Sequence, residues 1–357
     1  MRRYLLLEDG SSFEGKAFGS CDNSTGELVF NTSFTGYYEI MTDPSYGGQI
    51  IVFNFPSMFY YDYMKDVAQS DGISASGIVV KDGIIPGNGT FKILDDLLKL
   101  KHVPGIYGID TRKLTQKIRD SGNLKGIISS TDRMPDHFSE MDTEDLIKKF
   151  STEESYNIMG KGNKNILFID MGTKTSLLRE VSQLGDLEVV NIFNLPKNYE
   201  DYDGIFLSNG PGDPGNKVFS ELKGELKNVI GKVPVFGVCL GHQIIGEVIG
   251  GRIEKMKFGH HGSNHSVGNG QRSFITSHNH NFRIAEDSLY IKGVDIMYRD
   301  LNDGTPEMIG IEDKMLLSAQ FHPEGSPGPR DSTGFFNLMR SVMDGINTIY
   351  SWNMFQF

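Results

Sequence analysis

The sequence predicts an α/β protein, with a doubly wound, mostly parallel sheet in its second half and a mixed α+β domain before it. Three observations carry this expectation. From residue 164 onward, apolar runs of strand length alternate with amphipathic runs of helical period, the pattern of a parallel sheet covered by helices on both faces. In the first half, short apolar segments broken by Gly, Asp and Pro come first and helix-like pieces follow. The chain has 357 residues, too many for one ordinary domain and suited to two.

The first domain is expected over residues 1–155. LVFNTSF and IIVFNF read as strands. KILDDLLKL and RKLTQKIRDSG read as helices, the second ending on Gly122, with Arg112 and Lys113 on its solvated face. A charged stretch near residues 132–165 leads to GKGNKN, which reads as a linker. The second domain is expected over residues 164–357. NILFID is a strand. TSLLREVSQLG sets Leu177, Leu178, Val181 and Leu184 on one helical face and stops at Gly185. LEVVNIF and YDGIFL are strands, FSELKGELKNVIG is a helix, VPVFGV is a strand and LGHQIIGEVIGG is a helix. In such sheets ligands bind beyond the carboxyl ends of the strands.

Composition narrows the class. The chain is 38% hydrophobic and 23% charged, which supports a sizeable core. A net charge of −11 argues against nucleic acid or anionic membrane as the main partner, since both call for basic patches. No stretch approaches the ~18 apolar residues of a membrane span. The opening MRRYLLLEDG reaches Glu8 and Asp9 too soon for a signal peptide. Two cysteines, Cys21 and Cys239, fit a reducing cytoplasm as free thiols.

The strongest local signal is VPVFGVCLGHQIIGEVIG. A buried strand meets G-V-C-L-G and then a helix, the cysteine form of a nucleophile elbow. Gly237 and Gly241 give room for close passage of the chain. Cys239 then sits at a helix N-terminus, where amides and the helix dipole favour thiolate, and the Leu240 amide points where an oxyanion would form. The alternative is a small buried hydrophobe. A base is expected in LLSAQFHPEGSPGP. SAQF reads as the last strand, His322 stands at its carboxyl end, and Glu324 can turn back to hold the imidazole. The third element is LSNGPGDP, where Gly210, Pro211 and Gly212 form a turn whose amides can hold an oxyanion or a carboxylate.

Together, SNGPGDP, GVCLGHQ and HPE resemble the triad-type class I glutamine amidotransferases over residues 164 to about 345. The resemblance implies that Cys239 attacks the glutamine amide, His322 protonates departing ammonia and Glu324 orients His322. The segments GELVFNTSFTGYYEIMTDPSYGGQI, ASGIVVKD, GIDTRKLTQKIRDSG, KMKFGHHGSNHSV and SPGPRD resemble carbamoyl-phosphate synthase small subunits and extend the likeness over nearly the full chain. That family implies a glutamine site built from Ser45, Gly210, Gly212, Leu240, Gln243, Asn279, Asn281 and Phe282, the last three on a loop that closes over glutamine. This chain departs from the family pattern at His278, where Gln is usual, and at Asn281, where Gly is usual and where Asn tolerates positive φ. It also departs in FPSMFYYDYM, residues 55–64, and in TKTS, residues 173–176.

His260, His261 and His265 are expected on a loop near the active site. Their spacing fits no standard zinc pattern and no acid or cysteine accompanies them, so no metal is expected there. The chain has no G-x4-G-K-[ST] and no convincing G-x-G-x-x-G, so ATP and Mg are expected on another chain. The resemblance implies a large synthetase subunit as partner, with L-glutamine as substrate and the product serving arginine or pyrimidine synthesis. The rival readings are a stand-alone γ-glutamyl or other cysteine hydrolase of the same fold and a non-catalytic regulatory subunit.

Overall fold

The computed structural model describes residues 1–56, 65–81 and 89–346, which form two compact units. The first is Met1–Asp142 with Met256–Gly262, and the second is Thr143–Lys255 with Ser263–Phe357. Along the chain the first unit gives way to the second at Asp142/Thr143. The charged stretch near residues 132–165 contains a helix, Thr143–Phe150, and a strand, Tyr156–Ile158. Charge concealed that helix. Leu146 and Ile147 are its buried face, with Glu144 and Asp145 in the first turn and Lys148 and Lys149 in the last, as the helix dipole favours. The substituted segment at residues 55–64 lies mostly outside the described residues.

The first unit is a closed seven-stranded barrel. Its strands are β1 (Arg2–Leu7), β2 (Ser12–Gly19), β3 (Ser24–Asn31), β4 (Gln49–Phe53), β5 (Gly77–Val80), β6 (Pro104–Tyr107) and β7 (Lys125–Ser129), in the order β1-β2-β6-β5-β4-β3-β7. Strands β3 to β6 pair in parallel and the rest are antiparallel. Helices α1 (Tyr37–Thr42) and α2 (Gly89–Leu100) lie in the connections between the parallel strands, which no tight hairpin can join. Helix α3 (Thr111–Ser121) starts where the Asp110 carboxylate accepts from the Lys113 amide at 3.0 Å and ends at Gly122, φ 93°. It buries Leu114 and Ile118 and leaves Arg112 and Lys113 in solvent, as its period predicts.

The second unit holds a ten-stranded sheet. Its strands are β8 (Tyr156–Ile158), β9 (Lys164–Asp170), β10 (Gly185–Asn191), β11 (Gly204–Leu207), β12 (Val235–Val238), β13 (Ile253–Gly268), β14 (Ser273–Ile284), β15 (Asp295–Asp300), β16 (Pro306–Ile311) and β17 (Leu316–Ala319). The order is β14-β13-β15-β16-β17-β12-β11-β9-β10-β8. The five central strands, β17, β12, β11, β9 and β10, are parallel. Strand β8 closes one edge antiparallel, and the β13–β16 wing is antiparallel where its registered pairs are seen. Among the described residues, five helices belong to this unit: α4 (Thr143–Phe150), α5 (Thr175–Val181), α6 (Ser220–Val229), α7 (Leu240–Val248) and α8 (Gly334–Met343).

Continuous apolar strands are explained by burial on both faces. Along β9, Ile166 and Phe168 pack with α5 and α8, while Leu167 and Ile169 pack with α6 and α7. This doubly covered core fixes the carboxyl ends of β9, β11, β12 and β17 along one edge of the sheet.

Candidate active site

The turn from β12 into α7 is built around Cys239, which has φ 54° and ψ −105°. A non-glycine residue in this region is strained, and it holds only where its surroundings over-determine it. Here they do. The Cys239 amide donates to the Ala319 carbonyl on β17 at 2.8 Å, the Gly241 amide donates to Ser208 at 3.0 Å, and the Gln243 amide donates to Cys239 at 3.1 Å. A Cβ at Gly241 would lie 2.3 Å from the Leu207 carbonyl oxygen, and one at Gly237 would lie 2.7 Å from the Gly241 carbonyl carbon. Gly241→Ala must therefore push helix α7 off strand β11. The expected cost is ~1–3 kcal/mol of stability, with slower alkylation of Cys239, measured by melting and by iodoacetamide kinetics.

Cys239 is buried, at the N-terminus of α7, and its thiol donates to the Asn279 carbonyl on β14 at 3.4 Å. Two residues along that strand, the Ser277 carbonyl accepts from the His322 amide at 2.9 Å. One strand thus holds both the cysteine and the histidine, which also leave the carboxyl ends of the adjacent parallel strands β12 and β17. His322 Nδ1 lies 2.7 Å from Glu324 Oε1. Nδ1 carries the hydrogen of the neutral ring, and Nε2 has no hydrogen-bond partner among the described residues.

Glu324 is buried, and burial alone would raise its pKa. The Lys174 ammonium and His322 reverse that and bring it from an ordinary 4.5 down to about 2. Lys174 Nζ stands 2.9 Å from Glu324 Oε1 and donates to the Gly325 carbonyl at 2.7 Å, with the lysine side chain 1% exposed. Lys174 is delivered by a loop after β9. One carboxylate oxygen of Asp170 accepts from the amides of Gly172 and Thr173, both at 2.9 Å, and the other accepts from Thr152 at 2.7 Å.

The glycine turn follows β11. Gly212 has φ 98°, and a Cβ there would meet Thr143 Cγ2 at 2.5 Å. A Cβ at Gly210 would meet the Met171 carbonyl oxygen at 2.1 Å, and Leu240 Cδ2 at 3.0 Å, so the turn lies against the elbow. Gln243 donates from Nε2 to the Phe282 carbonyl at 2.9 Å and to Gln320 Oε1 at 3.1 Å. One position before it, His242 Nδ1 meets Ser318 Oγ at 2.9 Å, and burial drops its pKa to about 3, so the ring stays neutral.

The structure therefore gathers Cys239, Leu240, Gln243, Gly210, Gly212, Asn279, Phe282, His322 and Glu324 within the second unit. Ser45 lies in the first unit, buried on a 3-10 turn over Pro44–Tyr46, where its amide donates to the Asp43 carboxylate at 2.9 Å. Two expectations need correction. Asn279, Asn281 and Phe282 belong to strand β14 rather than a loop, and Asn281 is not among the residues of positive φ. His260, His261 and His265 lie on strand β13, and an acid does accompany one of them, for His265 Nδ1 is 3.1 Å from Asp300 Oδ2. Glycines inside KFGHHGSNHSV and repeated polar residues in both segments hid strands that are long but poor in apolar side chains.

Two family descriptions match the chain. Glutamine amidotransferase class-I covers residues 167–342, and the CPSase domain of carbamoyl-phosphate synthase small chains covers residues 5–128. The carbamoyl phosphate synthase small chain of Thermoplasma acidophilum is 42% identical over 343 residues, 95% of this chain and 97% of that one. The chain belongs to the carbamoyl phosphate synthase small chain family. The small chain of Clostridium acetobutylicum is also 42% identical, over 94% of this chain and 99% of its own length. The pyrimidine-specific small chain of Bacillus subtilis is 40% identical over 96% of each. Within this small chain, sequence reasoning missed Lys174, Asp170, Asn209 and Gln320. Lys174 sits in TKTS, a segment noted only as a departure from the family pattern, and nothing in its neighbours announced a buried ammonium. Asn209 stands in the noted SNGPGDP motif, and its side-chain oxygen accepts from the Lys174 amide at 3.2 Å.

Proposed function

We infer that this small chain hydrolyses L-glutamine and hands the ammonia to a carbamoyl phosphate synthase large subunit, which joins it to bicarbonate at the expense of ATP. The observation that carries the reading is the strained, buried Cys239 on the same strand contact as His322, in a chain that matches small chains end to end. In the proposed cycle His322 Nε2 takes the thiol proton, and Cys239 Sγ attacks the glutamine side-chain amide. The amides of Leu240 and of the Gly210–Gly212 turn take the oxyanion. His322 returns the proton to the leaving nitrogen as the C–N bond breaks, giving ammonia and a glutamyl thioester. Water, deprotonated by His322, then cleaves the thioester to glutamate. Glu324 holds the Nδ1 hydrogen and balances the imidazolium. Asn279, Asn281, Phe282 and Gln243 are proposed to shape the glutamine pocket.

The cycle needs no cofactor on this chain, and ATP and Mg2+ are assigned to the large subunit because the sequence shows no phosphate cradle. No described helix is long and apolar enough to cross a membrane. We place the work in the cytoplasm, in arginine or pyrimidine synthesis. Enclosed transfer to the partner keeps ammonia unprotonated, since ammonium is not a nucleophile.

The test is glutamine turnover by the purified chain with and without a cognate large subunit, ATP and bicarbonate. Acceleration by the partner, with carbamoyl phosphate formed, is expected. Turnover that ignores the partner would favour a stand-alone hydrolase, and an inert complex would favour a regulatory subunit.

A further inference from the structure

Strand β14 sets Asn279 between two histidines, and strand alternation sends His278 and His280 to the same face. Both are buried, as is Glu307 on β16. Each ring is held by a hydrogen bond on its outer side. His278 Nε2 lies 2.7 Å from Thr276 Oγ1. The same hydroxyl also reaches the His265 carbonyl at 3.1 Å, and when it donates there it accepts from His278 Nε2. His280 Nδ1 lies 2.9 Å from the Phe282 carbonyl, which only accepts, so Nδ1 carries the hydrogen of neutral His280. The other two nitrogens, His278 Nδ1 and His280 Nε2, face each other at 3.2 Å. Glu307 Oε2 is 3.6 Å from His278 Nδ1. Two ring nitrogens and a carboxylate oxygen thus converge in a dry interior, a donor set suited to a transition cation.

We propose that His278, His280 and Glu307 form a binding site for a divalent transition cation of the zinc class. Their ligand atoms all lie within 4.8 Å of one another. With metal–nitrogen bonds of ~2.0–2.1 Å, the 3.2 Å separation of the two nitrogens corresponds to an angle of about 100–106° at the metal, close to tetrahedral. Two imidazoles and a carboxylate are a ligand set that zinc accepts, with a fourth position left over. The outer partners are in place, because Thr276 and the Phe282 carbonyl already orient the two rings. The spacing rule applied to residues 260–265 could not find this site. Its ligands come from an i, i+2 pair on one strand and an acid on another. A bound ion would also brace the strand whose Asn279 and Phe282 carbonyls accept from Cys239 and Gln243.

The experiment uses the full-length chain made thiol-free by Cys21→Ser and Cys239→Ser, so that no sulfur can take the metal. Titration with Co2+ should give one bound ion with the d–d absorption of nitrogen–oxygen coordination, displaced by an equivalent of Zn2+. Zn2+ should raise the melting temperature of this parent. Adding His278→Gln or Glu307→Gln should weaken Zn2+ binding by about tenfold or more and remove the melting shift. The parent keeps all three ligands, so its own failure to bind a stoichiometric ion would overturn the proposal and leave a shared proton as the occupant. Equal affinity in parent and variants would also overturn it, by placing the ion elsewhere.

Discussion

Cys239→Ser should lower glutamine hydrolysis by ~10³-fold or more, in the chain alone and in complex with a large subunit. The substitution removes one property only. Serine is nearly the size of cysteine and can keep the φ of 54° and the contacts of the elbow. Its hydroxyl is far less acidic than a thiol, so the same imidazole and helix N-terminus no longer generate a nucleophile. Carbamoyl phosphate synthesis by the complex from added ammonium salt should persist, because that route bypasses the thioester. Residual glutamine hydrolysis near the parent rate would remove Cys239 from the mechanism. Loss of the ammonium-dependent reaction as well would point to damage of the complex.

Lys174→Met should cost ~3–5 kcal/mol of stability at neutral pH, because it leaves the buried Glu324 carboxylate without its cation. The sign with pH follows from linkage. Glu324 has a folded pKa of about 2, below its ordinary 4.5. It therefore contributes stability that is fully present above the unfolded value and is lost as pH falls toward the folded one. Without Lys174, burial dominates and the carboxyl takes up a proton at higher pH. The stability lost in the variant should therefore be largest near neutral pH and shrink as pH falls, and glutamine turnover should fall at neutral pH as Glu324 ceases to balance the His322 imidazolium. Urea titrations between pH 3 and 8 measure the first, and pH–rate profiles the second. A stability difference between parent and variant that stays constant from pH 8 to 3 would show that Lys174 does not hold the carboxylate ionised.

Much of this was legible in the sequence because the strongest determinants are local. Alternation of strand and helix predicted β9 to β12 and helices α5 to α7. The glycines around Cys239 predicted a turn whose close contacts are now seen at Gly237 and Gly241. The pairing of His322 with Glu324 was legible because the two lie only two residues apart. What stayed hidden depends on pairing between distant segments. Closure of the first seven strands into a barrel follows from β1 meeting both β2 and β7, which periodicity does not encode. Strand β14 looked like a loop because its buried face is polar, with Thr276, His278 and His280 bonded to each other rather than to apolar neighbours. Lys174 reaches Glu324 across 150 residues of sequence, and only the fold makes them neighbours.

The ion pair of Lys174 and Glu324 has a consequence for how the proposed cycle responds to its surroundings. The carboxylate and the ammonium cancel, so the enclosed groups sum to zero charge while Cys239 and His322 are neutral. Passing a proton from sulfur to nitrogen creates a zwitterion and leaves that sum unchanged. No counterion has to enter from bulk solvent and none has to leave. The electrical work of activation is thus done between fixed dipoles and charges a few ångströms apart, and the ionic strength outside the protein has little hold on it.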